Sequence, residues 1–548
     1  MIIDRRHLHP QQLPHTRAGQ GNVLWVLIVT ALVIIGLSVA LLSRGNSVVP
    51  AKTQTLTMYA AAGMRTAVEQ IAHEYEQEYG THIDLQYGGS NTLLNQLQVN
   101  EFETADLYLA ADDFYTDKAV ELGLAAEVLP IGHQRAVIAV RKDQKKEIQS
   151  LADLLRDDVT VAVANPDQAA IGKATRRLLR KIEVDGTTRW NQLEAAVTQH
   201  GVFKPTVNDV SNDIKLGAVD AGIVWETTVA MPSNRDELQA IPVPELEGEP
   251  DLISIAVLNS SQQPTAALKF ARYLTASDKG LPVFAEFGAH PVDGDTWEEY
   301  PQMNFYCGAV NRRVVEDVVT RFEEREGVEI NTIYDGCGIL TGRMKTIEGQ
   351  QTSLGFPDVY MACDVYYLDN VREWFQEAAN VSDVEIVIAV PKGSDVVRSP
   401  DDLIKPGVRV AIGQPEQCTI GALTRRMLDE EGLYDQLIEK QSQPGEVVVE
   451  KSSSALLVPD VVTGHVDAAV AYITDVLANE DRVDIVHFTS PLNRAVQPFS
   501  IAKSSEHKYL ARRLFRQIVD SPDAFKSAGF NYREQEDSSI ETTESNLP

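Results

Sequence analysis

The feature that most constrains this 548-residue chain is an internal duplication. LTMYAAAGMRTAVEQIAHEYEQEYG (56–80) returns as MNFYCGAVNRRVVEDVVTRFEEREG (303–327), a shift of 247 residues. ADLYLAAD (105–112) returns as PDVYMACD (357–364), and IAVRK (138–142) returns as IAVPK (388–392). NPDQAAIGKATRR (165–177) answers to QPEQCTIGALTRR (414–426), and VDAGIVW (219–225) to VDAAVAY (466–472). A register that wanders by a few residues and then returns means a duplicated domain with small loop insertions. The expected domains are 54–295 and 301–532.

Each copy alternates strand and helix patterns. Ile83, Leu85 and Tyr87 alternate as a strand does, while Met64, Ala67, Val68, Ile71 and Tyr75 recur at helical spacing before Gly80. Such alternation predicts an α/β fold with largely parallel sheets, whose ligands sit beyond the carboxyl ends of the strands. The repeated loops follow Tyr59, Tyr87 and Pro166, at strand-to-helix junctions. The Gly-Gly-Ser turn puts Ser90 at a helix N-cap, where its hydroxyl and the free amides behind it suit a negatively charged oxygen.

AAAGM, YGGSNTL, ADLYLAAD, the NPDQAAIG turn and DAGIVW, in that order, resemble the periplasmic molybdate-binding proteins of ABC importers. The resemblance implies two tandem type II periplasmic-binding domains, each of two α/β lobes that close on a tetrahedral oxyanion. It carries the first site onto Ala62, Gly63, Ser90, Asn91, Ile171, Gly172, Val210 and Trp225. Two positions depart from the family pattern. Gly63 stands where a serine is usual, and Trp225, a donor without acceptor capacity, stands where a tyrosine is frequent. The implied function is capture of molybdate or tungstate for an ABC permease, with no cofactor and no enzymatic chemistry. The hinges are placed near Ile138 and Ile388. The alternative is a ligand sensor or scaffold of degenerate binding domains, the second taking a soft metal or nothing.

All four cysteines lie in the second copy. Cys307 is assigned to the first ligand loop, Cys337 replaces Ser90, Cys363 ends the PDVYMACD strand, and Cys418 precedes Thr419 in a further loop. The second site is then Cys307, Cys337, Gly338, Cys418, Thr419 and Tyr472. Three readings stay open for Cys307, Cys337, Cys363 and Cys418: small buried thiols, disulfides, or thiolates for a soft metal. Helix N-termini at Cys337 and Cys418 would lower both thiol pKa values.

Composition enters at the ends of the chain and in its charge. VLWVLIVTALVIIGLSVALL (23–42) is uncharged and as long as a bilayer is thick, and Arg5, Arg6 and Arg17 precede it. The expectation is a cytoplasmic tail (1–22), a single-pass signal anchor (23–43) and a periplasmic remainder from about residue 44. A cleaved signal peptide competes, but its apolar core is usually about 7–15 residues. A polar, acidic, disordered tail is expected over 533–548. The net charge of −30 repels nucleic acid and demands that any bound anion be held by local donors. His7, His9 and His15 belong to the tail, and AAIGKATRR lacks the glycine and Lys-Ser/Thr pair of a phosphate loop.

Overall fold

The computed structural model describes residues 54–99, 105–349 and 354–534. The expected tail and membrane span (1–43) lie outside the described residues, and so does most of the expected acidic tail. Among the described residues no helix is long and apolar enough to cross a membrane. Arg533, assigned to the tail, instead closes the fold: its amide donates to Val381 O at 3.0 Å and its guanidinium meets Asp383 at 3.1 Å.

The first repeat builds two sheets. One runs in the order His290–Pro291, Ala125–Gln134, Asp251–Leu258, Leu107–Ala110, Thr55–Ala61, His82–Gly88. The other runs Leu238–Ile241, Ala136–Arg141, Ala221–Trp225, Val161–Ala164, Val202–Lys204. Central strands such as Val161–Ala164 and Ala221–Trp225 are buried along their whole length. That follows from apolar runs sandwiched between helices on both faces. The helix Arg65–Tyr79 buries Ala67, Val68, Ile71, Ala72 and Tyr75 and stops at Gly80, whose φ of 70° a side chain would oppose. Its counterpart Arg312–Glu326 stops in the same way at Gly327, with φ 68°.

The second repeat joins both of its sheets through one 17-residue strand, Phe375–Pro391. Its first part pairs with Arg494–Ala502 in the first lobe, and Ile386–Ala389 pair with Ala468–Tyr472 in the second. In the first repeat the equivalent path is broken at Arg135, between Ala125–Gln134 and Ala136–Arg141. Crossing between lobes therefore occurs a few residues before the expected hinges. Ile138 and Ile388 already sit inside second-lobe sheets, paired with Ile223 and Val470.

The two domains meet through their first lobes. Glu326 is 1% exposed and lies between Arg272 of the first domain (3.1 Å) and Arg513 of the second (2.6 Å). Arg325 grips Glu127 with two bonds of 2.8 and 3.0 Å, and Asp295 accepts the amides of Tyr509 and Leu510. Burial works against a charge on Glu326. Arg513 and Arg272 outweigh it and hold the carboxyl below the usual range.

Candidate functional site

A cleft of about 270 Å³ opens between the lobes of the first domain, where loops from both sheets converge. Ala61, Ala62 and Gly63 follow the first strand, and Gly88, Gly89 and Ser90 follow the second. From the other lobe come Ala169, Ala170 and Ile171, then Thr206 and Val207, with Ala111 and Trp225 closing the wall. No lining residue is charged. The helices beginning at Ser90, Ala170 and Val207 and the short turn at Ala62 all start at this cleft. The first amides of a helix have no intrahelical partner, so several N–H dipoles face one small space.

Ser90 opens its helix and is 1% exposed. Its Oγ accepts the Ala111 amide at 3.3 Å, which leaves the hydroxyl proton for a ligand. Tyr108 OH donates to Ser90 O at 2.7 Å and fixes the turn from beneath. The Ala170 helix lacks a side-chain cap, because Ala169 occupies the N-cap position. Gly172 lies so close to the Ala164 carbonyl and Pro166 that any side chain would collide, and this draws the helix start onto the strand end.

The lobes are closed on one another. Asn91 donates to Asp167 O at 2.7 Å, Asn208 to Ala62 O at 2.7 Å, and the Thr92 amide to Gln168 O at 3.4 Å. A Cβ on Gly89 would be driven into the Gln168 carbonyl and would lie 3.2 Å from Pro205 O.

Six of the eight residues assigned to the first site line this cleft or its closing seam. Gly172 does not, being packed on the Ala164–Pro166 backbone of its own lobe, and neither does Val210. Val210 is fully buried in the second lobe, where its Cγ1 packs over Gly222. The loop contributes Thr206 and Val207 instead, because Thr206 caps the helix by accepting the Asp209 amide and so sets its first turn at Val207. The Thr-x-x-Asp frame at 206–209 was the available signal.

The second domain repeats the frame with bulkier walls. Val310 stands for Gly63, Cys363 for Ala111, and Cys418 for Ala169. Gly336 and Gly338 press against the backbone at Gln417 and Glu416 across the lobes, as Gly89 does in the first copy. The Cys363 amide donates to Cys337 Sγ at 3.1 Å, the counterpart of the Ala111–Ser90 bond. Cys307 is not in a loop: it lies within the strand Gln302–Gly308, fully buried, because it aligns with Ala60 and not with the turn. Thr419 and Tyr472 are buried, and their hydroxyls have no hydrogen-bond partner among the described residues.

The thiols do not act alike. Burial pushes Cys418 up to about 11, against the lowering expected from its helix, and its Sγ faces the carbonyls of Gln414 and Lys451 at 3.5 and 3.4 Å. Burial also raises Cys307 well above its ordinary value. Cys337 alone moves down: burial opposes this, but the Cys363 thiol and amide outweigh it. Among the described residues no three His, Cys, Asp or Glu side chains gather as a metal site, so the four-cysteine metal set is not formed.

A family model described as bacterial extracellular solute-binding protein matches the chain twice, over residues 56–290 and 303–531. The chain belongs to this family. Its members capture solutes and do not transform them, and the double match shows the tandem arrangement of periplasmic-binding-protein-like domains. A binding protein of Haemophilus influenzae is 28% identical over 43% of this chain and 91% of its own length. The molybdate-binding protein ModA of Mycobacterium tuberculosis is 28% identical over 46% of this chain and 94% of its own. Among solved structures, the periplasmic molybdate-binding protein of Azotobacter vinelandii is 16% identical with a TM-score of 0.36, covering 43% of this chain and 98% of that one.

Proposed function

We propose that the first domain captures a tetrahedral oxyanion, molybdate or tungstate, and presents it to an ABC permease. One observation carries this reading: helix starts from both lobes surround a closed cleft that contains no charged side chain. Such a site favours an anion through aligned N–H groups and one hydroxyl, in a chain whose net charge of −30 would repel it elsewhere. The similarity to molybdate-binding relatives points the same way. In this reading Ser90 Oγ and the amides near Gly63, Ile171 and Val207 supply the donors. The Trp225 wall excludes water. Residues 23–42 anchor the chain in the cytoplasmic membrane, with both domains in the periplasm.

Calorimetry with molybdate, tungstate, sulfate and phosphate tests the proposal. Molybdate and tungstate are expected to bind tightly, and sulfate and phosphate weakly. A hydrogen bond to a charged group contributes about 1.5–3 kcal/mol, so Ser90→Ala is expected to weaken binding roughly 10- to 150-fold. Unchanged affinity in the variant would remove Ser90 from the site. No heat with any oxyanion would end the reading.

A further inference from the structure

We propose that Cys337 and Cys363 form a reversible dithiol–disulfide pair at the floor of the second cleft. Their sulfurs are 2.9 Å apart, and both residues are buried. Two thiolates on one tetrahedral zinc, each at about 2.3 Å from the metal, lie about 3.8 Å apart, while a disulfide closes to about 2.05 Å. The pair is therefore too close to share a metal and near enough to bond after a small side-chain rotation. Both residues belong to the first lobe, at the start of the helix Cys337–Gly349 and just beyond the strand Val359–Met361. Bond formation thus needs no lobe movement.

The two sulfurs have different roles. Cys337 Sγ accepts the Cys363 amide, lies against the Cys363 sulfur and sits at the N-terminus of a 13-residue helix, which makes it the attacking sulfur. The Cys363 thiol is pushed up, first by its bond to Cys337 and then by burial. The Cys337 thiolate attacks a small-molecule or protein disulfide, forming a mixed disulfide and releasing one thiol. Cys363 then gives up its proton, attacks Cys337 Sγ and expels the second thiol. Two cysteine thiols lose two electrons and two protons in all, and the oxidant's S–S bond becomes two thiols. In the closed domain Gly336 rests against the carbonyls of Gln417 and Ser452 in the second lobe, covering Cys337. Exchange therefore proceeds when the lobes part. Once oxidised, the position equivalent to Ser90 has no S–H to offer a ligand.

The test uses the full chain, reduced anaerobically and equilibrated in glutathione buffers of varied oxidised-to-reduced ratio. Samples are acid-quenched, alkylated under denaturing conditions and mapped by peptide mass spectrometry. Cys337 and Cys363 are expected to lose alkylation together, in one two-electron transition, while Cys307 and Cys418 stay alkylated throughout. Cys337→Ser and Cys363→Ala install the residues that the first copy carries at Ser90 and Ala111, so both are expected to fold, as circular dichroism can verify. Cys337→Ser should leave its three remaining thiols alkylatable at every ratio, whereas Cys363→Ala should hold Cys337 as a mixed disulfide with glutathione in oxidising buffer. Independent titration of the two residues, a bond from Cys337 to Cys307 or Cys418, or four free thiols at every ratio would overturn the proposal. So would one equivalent of zinc or copper that protects the pair in reducing buffer.

Discussion

Gly89→Ala isolates lobe closure from ligand chemistry. Gly89 is not in the left-handed region, so alanine is compatible with its backbone and costs little while the lobes are apart. In the closed form the new methyl would overlap the Gln168 carbonyl oxygen, with the carbonyl carbon at 3.0 Å and Pro205 O at 3.2 Å. All three atoms are backbone of the opposite lobe, so no side chain can turn aside. The closed state must then stay ajar by several tenths of an ångström, and the Thr92 amide to Gln168 bond at 3.4 Å is the first to break. Overpacking of this kind costs about 1–3 kcal/mol, felt only by the closed state, so affinity should fall about 5- to 150-fold. Calorimetry with molybdate measures the loss. Thermal unfolding without ligand serves as the control and should change by less than about 2–4 °C. Wild-type affinity in Gly89→Ala would refute the argument that these carbonyls set the closed position.

Asn91→Ala and Asn208→Ala each remove one bond between the lobes, and each should weaken binding by about 1 kcal/mol without altering the unliganded melting temperature. Glu326→Gln leaves Arg272 and Arg513 buried without their anion and should destabilise the domain junction by about 3–5 kcal/mol, read by calorimetric unfolding. Because the folded carboxyl of Glu326 binds its proton more weakly than the unfolded one, its stabilisation is complete above about pH 4.3 and is lost as pH falls through the lower folded value. Acid titration of the wild type should therefore show a loss of stability that Glu326→Gln lacks. Combining Val310→Gly, Cys337→Ser, Cys363→Ala, Cys418→Ala and Asp335→Gly gives the second cleft the first copy's residues at these five positions, with Thr419 and Tyr472 kept, and calorimetric stoichiometry should rise from one oxyanion per chain to two.

Much of this architecture can be read from the sequence because the duplication gives every strand-to-helix junction two witnesses. The Arg65–Tyr79 helix and its glycine stop are plain from apolar spacing alone. Ser90 and Ile171 are legible for the same reason: each lies in the first turn of a helix that follows a strand, the half-exposed His82–Gly88 and the buried Val161–Ala164. Val210 falls outside the cleft because loop length fixes a helix start only to within about a turn, and the cap at Thr206 decides it. Cys307 lies next to Gly308 at the loop, but its alignment with Ala60 puts it on the strand. The junction through Glu326 could not be read at all. In EEREG the residue is one more acid on a charged helix, and only tertiary packing singles it out for burial. The contrast among the four thiols likewise depends on which carbonyl, amide or sulfur each one meets.

The junction that buries Glu326 has a mechanical meaning. Arg272, Glu127, Arg325 and Arg513 all belong to first lobes, so those two lobes form a common chassis, while each second lobe swings on its own crossing strands. One jaw can shut without tugging on the other. A protein that docks on the chassis would find the two mouths at a fixed spacing, whatever either of them holds.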